Sequence, residues 1–209
     1  MKKFKVSNRE GWLWPDTDEA CWDWLQKELD APEIISKFCK NNSVVVQAGG
    51  NCGLFVKPYA SLFETVYTFE PDPKNFYCLV NNVYEENVIK MQACLGNEHK
   101  LVGLKIKKYN AGVTRVSTDP GMVPSIMIDD LALSGCDLIH LDIEGYEFFA
   151  LQGAINTIKK YKPVIAIEWL GYERLYGLNG ESILAWLDEL GYREVQKVYS
   201  DVVFSFTEK

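Results

Sequence analysis

From Val44 onward, short unbroken apolar runs alternate with longer segments in which apolar residues recur every three or four positions. Runs too short for helices and rich in branched residues read as buried strands, and the longer amphipathic stretches read as helices. The pattern predicts strands at 44–48, 65–70, 87–92, 136–142 and 163–169, with helices at 53–62, 73–84, 146–160 and 181–190. The last helix is well marked: Ile183, Leu184, Leu187 and Leu190 share a face, and Gly191 supplies the stop. Strand and helix in strict alternation build a parallel sheet covered on both faces. Residues 101–107 set Leu101, Gly103 and Ile106 among lysines, which suggests a more exposed edge strand. Residues 108–124, with Gly112, Pro120, Gly121 and Pro124, read as an irregular loop and a candidate lid. Segments 192–198 and 201–206 form a hairpin about Ser200-Asp201, adding an antiparallel pair to the sheet. Residues 1–40 read as two short helical segments, the first capped by Thr17 or Asp16.

The first strand ends in VVVQAGGNCG, residues 44–53. Glycines at that handover remove Cβ atoms, so backbone N–H groups approach a polar ligand closely, or strand and helix simply pack closely. Glu70 ends the next strand about twenty residues later, where a carboxylate holds the ribose of a nucleoside cofactor. Gly49, Gly50 and Gly53 miss the glycine spacing of a dinucleotide fold. The pattern suits a cofactor without a pyrophosphate, such as S-adenosylmethionine.

A second constellation is CDLIHLDIEGYE, residues 136–147. Alternation puts His140 and Asp142 on one sheet face, about 6.6 Å apart along the strand. Glu144 follows in the loop and Gly145 permits the turn; Glu168 ends the next strand. In open α/β sheets ligands bind beyond the carboxyl ends of the strands, where strand order reverses. If the first and fourth strands are neighbours, the Gly49 turn and Asp142 border one crevice.

Composition narrows the partners. With 209 residues, 47% apolar and a net charge of −7, the chain suits one globular domain over 1–209: a helical extension over 1–40 and a core over 41–209. The lysine clusters Lys2, Lys3, Lys5 and Lys105, Lys107, Lys108 are too short for a nucleic-acid footprint. Six scattered cysteines without a C-x-x-C pair encode neither zinc site nor disulfide framework, so a reducing cytoplasm is expected. Secretion and membrane spanning are not expected either, for want of a long apolar run.

VVVQAGGNCG, VYTFEPDPKNF, SIMIDDL, CDLIHLDIEGYEFFALQGA and KPVIAIEW, in that order over about residues 43–170, resemble the FkbM-type S-adenosylmethionine-dependent methyltransferases. The resemblance implies a class I methyltransferase fold, Rossmann-like, with strand order 3-2-1-4-5-7-6. It also implies methyl transfer, commonly to an oxygen of a sugar or natural product. Carried across, Gly49, Gly50, Asn51 and Gly53 hold the methionine end, Glu70 the ribose, and Asp142 stands beside the reactive end of the cofactor. The chain departs from the family at Gln47, where an acid is usual, and at His140, where lysine is usual. Gln47 remains a candidate cofactor contact but brings no charge, so weaker cofactor binding is expected.

For the chemistry, Asp142 is the expected cofactor-side acid and Glu144 the acceptor-side group, with Glu168 and His140 as further catalytic candidates; His140 also reads as a core residue that orients its neighbour. Asp129 and Asp130 add oxygen donors, but read better as caps of a short helix at Leu131–Leu133, and no metal is expected. Trp22 and Trp24, two apart on a helix, face different ways; one packs on the sheet, and an exposed one suits an acceptor sugar or a homodimer contact. The rival functions are a cofactor-binding module without catalysis and a nicotinamide-dependent oxidoreductase or epimerase.

Overall fold

A computed structural model describes residues 4–117 and 119–208; Lys2, Lys3 and one residue of the candidate lid, Thr118, lie outside the described residues. In chain order the elements are β1 (Val6–Arg9), β2 (Trp12–Pro15), α1 (Cys21–Leu25), α2 (Ala31–Ser36), β3 (Val44–Ala48), α3 (Val56–Leu62), β4 (Thr65–Phe69), α4 (Pro73–Asn82) and β5 (Val88–Met91). Then come β6 (Cys94–Leu95), β7 (Lys100–Ile106), β8 (Thr114–Ser117), β9 (Val123–Ile126), β10 (Leu138–Leu141), α5 (Glu147–Gln152), α6 (Ile155–Tyr161), β11 (Val164–Glu168), α7 (Gly180–Glu189), β12 (Tyr192–Val198) and β13 (Asp201–Phe206).

Seven strands form a mixed sheet in the order β12-β13-β11-β10-β3-β4-β5. The five from β11 to β5 are parallel, and β13 runs antiparallel to both β11 and β12. The chain winds from β3 outward through β4 to β5, then returns to lay β10 and β11 on the other side of β3. Strand order therefore reverses between β3 and β10, and a crevice opens beyond their carboxyl ends.

Burial on both faces explains the unbroken apolar strands. Val44, Val46, Ile139, Leu141 and Ile165 meet Leu151 of α5, Ile158 of α6 and Leu187 of α7 on one face. Val45, Val66, Leu138 and Val203 meet Ile35 of α2, Tyr59 of α3 and Leu79 of α4 on the other. Each such side chain, fully buried, stabilises the fold by about 1.5–3 kcal/mol.

Three expectations are corrected. Residues 1–40 are not wholly helical: β1 and β2 pair as a hairpin before the two short helices. Neither Thr17 nor Asp16 caps α1; the Asp18 carboxylate accepts from the Cys21 and Trp22 N–H groups at 3.1 and 3.0 Å. Second, 101–107 does not edge the main sheet, and 108–124 is not loop throughout, because β8 and the start of β9 interrupt it. A separate four-stranded sheet, β6-β9-β7-β8, occupies this region. Its strands β8 and β9 are four residues each, too short for a period to show, and Pro124 inside β9 disguises that strand.

Third, the helix expected over 146–160 is two, α5 and α6, broken at Gly153-Ala154. A Cβ on Gly153 would lie 2.0 Å from the Gly96 carbonyl oxygen, so the backbone there touches the turn after β6. Asp129 starts the second helix, accepting from the Asn156 and Thr157 N–H groups, rather than capping 131–133. Gly153→Ala is expected to lower stability by about 1–3 kcal/mol through this overlap. Urea denaturation checks it: the midpoint falls with an unchanged slope, whereas an unmoved midpoint would show that the Gly96 turn yields freely.

Candidate active site

The Gly49 turn and Asp142 do border one crevice. Gly49 takes φ +86°, and a Cβ there would come 1.9 Å from the Asp142 carbonyl oxygen, so no other residue fits this contact. The Asp142 N–H donates to the Ala48 carbonyl at 3.1 Å, locking the end of β10 to the end of β3. Asn51 is also left-handed, φ +47°, which turns its N–H onto the Glu70 carboxylate at 2.7 Å. The other Glu70 oxygen accepts from the Asp72 N–H at 2.8 Å.

A cavity of about 290 Å³ opens over these strand ends. Its walls include Gly49, Gly50, Asn51 and Glu70 at one end, and Asp142, Glu144 and Glu168 towards the other. Glu70 on β4 and Glu168 on β11 are three strand spacings apart, about 14 Å. The cavity therefore spans the ends of four neighbouring strands.

Carboxylates dominate its electrostatics. Oxygens of Asp142, Glu144 and Glu168 all lie within 4.8 Å of one another, a spacing that suits shared protons or a hard cation. Burial pushes Glu70 up to about 8 and, reinforced by Asp201 and Glu144, pushes Asp142 up to about 7. Glu168 is raised further, by burial and then by the Asp142 carboxylate beside it, so the pair resists being ionised together. Glu144, with φ +61°, is the one member with a cationic partner in contact: Arg115 Nε and Nη2 donate to its Oε2 at 3.2 and 3.1 Å. The same guanidinium lies 4.3 Å from the centre of the Tyr172 ring.

Three expected site residues lie elsewhere. Gln47 and His140 sit opposite each other in the register of β3 and β10, on the face covered by α3. Gln47 is buried and accepts from the Thr68 hydroxyl at 2.6 Å. His140 is wholly buried, with Nδ1 2.8 Å from the Tyr59 hydroxyl and Nε2 3.1 Å from Asp201. Burial opposes its charge, but the Asp201 carboxylate outweighs that and raises its pKa above the usual value. Asp142 escapes that face because it lies one residue past the strand, where the chain has begun to turn. Gly53 packs tightly against Val83 and Leu79 and admits a helix rather than a ligand. Of the metal-donor candidates, Asp129 caps α6 and Asp130 pairs with His99 at 2.7 Å, so neither joins the cluster.

Other contributors were given no role by the sequence, although Glu147 closes the quoted CDLIHLDIEGYE segment. Glu147 accepts from the Ile143 and Gly145 N–H groups, both at 3.0 Å, and so clamps the turn that presents Glu144. Arg115 comes from the undetected strand β8. Across the cavity, the Ala111 peptide is gripped on both sides: Asp18 accepts its N–H at 2.9 Å, and Asn51 and Asn75 donate to its carbonyl at 3.3 and 2.7 Å. Burial works against charge on Asp18, but N–H groups of Ala111, Trp14, Trp22 and Cys21 hold its pKa below the usual value.

These shifts fix how stability depends on pH. Glu70, Asp142, Glu147 and Glu168 are acids raised by folding, so the folded state binds more protons and loses stability as pH climbs through their folded values. His140, also raised, loses its contribution in the same direction, while Asp18 acts oppositely and only below about pH 4. The melting temperature is therefore expected to fall between about pH 5 and pH 8, and Glu70→Gln to flatten part of that slope. Calorimetry across this range checks it; stability rising towards pH 8 would contradict the buried cluster.

Comparisons with known proteins agree with this geometry. Residues 54–194 match the family described as the Methyltransferase FkbM domain. The chain is 26% identical over 149 residues to the hexuronic acid methyltransferase AglP of Haloferax volcanii, a match spanning 68% of this chain and 62% of that protein's length. Among solved structures, the FkbM methyltransferase of Methylobacillus flagellatus KT superposes with a TM-score of 0.53 at 19% identity, covering 84% of this chain and 50% of that one. Precorrin-6y C5,15-methyltransferase of Geobacter metallireducens GS-15 gives 0.53 at 11% identity, covering 87% and 88%. At such identities the structures establish a shared methyltransferase-like fold, and the family match goes further: this chain belongs to the FkbM methyltransferases.

Proposed function

We propose that this methyltransferase uses S-adenosylmethionine to methylate a hydroxyl group of a small carbohydrate or natural-product acceptor. The observation that carries this reading is the single cavity running from the Gly49 turn and Glu70 to Glu168 across the point where strand order reverses. The donor set fits the cofactor. Glu70 lies where ribose hydroxyls are held, and Asp142 is a half-buried carboxylate with, among the described residues, no basic side chain in contact, suited to a sulfonium or ammonium. S-adenosylmethionine supplies a methyl group on a positively charged sulfur that is already an activated leaving group.

The remaining work falls to this chain's residues. Aligning the acceptor oxygen is worth up to about 7–11 kcal/mol when a near-attack geometry is held. As the new carbon–oxygen bond forms and the carbon–sulfur bond breaks, the hydroxyl proton passes to the Asp142–Glu168 pair. Glu144 is the poorer base, because Arg115 holds its charge, and its role is to position the acceptor. This reverses the order expected from the sequence. The two departures that favoured an inert binder, Gln47 and His140, are buried and do not themselves line the cavity. A sugar-type acceptor is supported by the hexuronic acid methyltransferase among the relatives, whose own acceptor differs from a neutral sugar by its carboxylate. Six unpaired cysteines suit a reducing cytoplasm, and among the described residues no helix is long and apolar enough to cross a membrane.

S-adenosylhomocysteine at a hundredfold excess over its Kd is expected to add about 2.7 kcal/mol of stability, read as a melting-point rise of roughly 5–10 °C, with no rise from NAD. A rise with NAD alone would return the protein to the nicotinamide class. Glu168→Gln is expected to lower kcat by about 10²–10⁴-fold with cofactor affinity nearly unchanged, and Glu144→Gln to raise KM for the acceptor more than it lowers kcat. Equal kcat in wild type and Glu168→Gln would remove Glu168 from the proton's path.

A further inference from the structure

Trp24 is the one tryptophan of the N-terminal cluster that stands free at the cavity. Trp14 and Trp22 pack edge to face at 5.0 Å, both buried, and the Trp14 indole N–H is taken by Asp18 at 2.8 Å. Those rings hold the N-terminal segment together. Trp24, on the same helix as Trp22, is 58% exposed yet forms part of the cavity wall. Its place along the cavity follows from its neighbours. Glu28, four residues on, lies within electrostatic reach of Asp201, and Asp201 stands opposite Glu168 in the register of β13 and β11. Trp24 therefore flanks the Glu168 end, away from Glu70. Leu170, 50% exposed, follows Glu168 on the same rim. Of the other wall aromatics, Phe69 and Tyr146 are buried, Phe55 stacks on His140 and the Tyr172 ring is covered by Arg115, which leaves the Trp24 indole as the exposed aromatic face.

Charge then separates the candidate occupants. Among the described residues, the cavity wall carries Glu70, Asp142, Glu144 and Glu168 but no lysine, arginine or histidine; Arg115 is committed to Glu144, and Lys107 lies beyond the wall within electrostatic reach of it. An anionic group would enter beside the Glu144 carboxylate and the partly ionised Asp142, with no free cation on the wall to receive it. An uncharged ring with an apolar C–H face and hydroxyls on its edge meets both demands: the face lies on the indole, and the hydroxyls donate to carboxylates.

Resting on the O-methylation reading above, we infer that Trp24 is the platform of the acceptor subsite and that this subsite selects an uncharged pyranose-type ring over anionic or flat aromatic acceptors. The indole fixes the ring's plane, so it determines which hydroxyl faces Glu168.

The test titrates the full chain, loaded with S-adenosylhomocysteine, with neutral methyl pyranosides, a methyl glucuronoside and catechol, in wild type, Trp24→Phe and Trp24→Ala. Neutral pyranosides are expected to bind best. Trp24→Ala should weaken them at least tenfold and Trp24→Phe less, with the affinity for S-adenosylhomocysteine unchanged in both. Because Trp24 is exposed, unchanged melting points in the variants confirm that folding is not the cause. Tighter binding of the glucuronoside or catechol, equal pyranoside binding in wild type and Trp24→Ala, or no pyranoside binding at all overturns the inference while leaving the cofactor reading intact. A dimer that dissociates only in Trp24→Ala, measured by sedimentation, also overturns it by assigning the ring to an interface between copies. Failure of wild type to bind S-adenosylhomocysteine sinks the functional reading itself.

Discussion

Mutual repulsion among carboxylates at one edge of the sheet is the constraint around which this molecule is organised. Two unit charges 4.8 Å apart, the outer separation within the Asp142, Glu144 and Glu168 cluster, repel by about 3.5 kcal/mol at an effective dielectric of 20. That exceeds the roughly 0–1 kcal/mol of a surface ion pair, so the cluster cannot be relieved by incidental lysines nearby. The chain relieves it with specific devices. Raised pKa values keep Asp142 and Glu168 from ionising together, Arg115 reaches in from the second sheet to Glu144, and backbone N–H groups take up Glu147 and Glu70. What remains is a cavity whose wall, among the described residues, carries four acids and no basic side chain, which favours a cationic ligand over an anionic one.

The sheet's winding brings these acids together. Glu70, Asp142 and Glu168 each end or follow a parallel strand, and parallel strands deliver their carboxyl ends to one side. Reversal of strand order between β3 and β10 keeps the helices from closing over that edge, so the side chains meet around space rather than within a core. The second sheet fills the space between β5 and β10 in sequence and supplies both wall residues, Thr114 and Val116, and the one cation in contact with the cluster. A fold built only from the seven strands would present the same acids without that counter-charge.

Much of this was legible in the sequence because burial on both faces writes strands as apolar runs and the helices between them as amphipathic segments. The order of strands followed from the family resemblance, and the Gly49 turn and the acids Glu70, Asp142, Glu144 and Glu168 lie where the motifs put them. The errors have physical causes. Period-two alternation assigned His140 and Asp142 to one face, yet that rule holds only while the strand lasts, and β10 ends at Leu141. Gln47 looked like a cofactor contact because it precedes the glycines, but its parity turns it to Thr68 beneath the sheet. The hairpin β1–β2 and the strands β8 and β9 are too short to show a period. Arg115 and Asp18 act through partners 29 and 93 residues away in the chain, a kind of contact that local pattern does not record.

The same long-range contacts explain why residues 108–113 are ordered although their sequence reads as loop. Three side chains from distant segments close on the single Ala111 peptide: Asp18 from the N-terminal region, Asn51 from the glycine turn and Asn75 from α4. A net hydrogen bond contributes about 0.5–1.5 kcal/mol, and one to a charged acceptor somewhat more, so the three together hold the segment by about 2–4 kcal/mol. That is enough to keep the wall assembled in all but a small fraction of molecules, and small enough to be overcome within the total stability of a domain this size. Asn51 belongs to both systems at once, its backbone N–H on Glu70 and its side chain on Ala111. One left-handed asparagine thus ties the carboxylate at the cofactor end of the cavity to the segment that forms its wall.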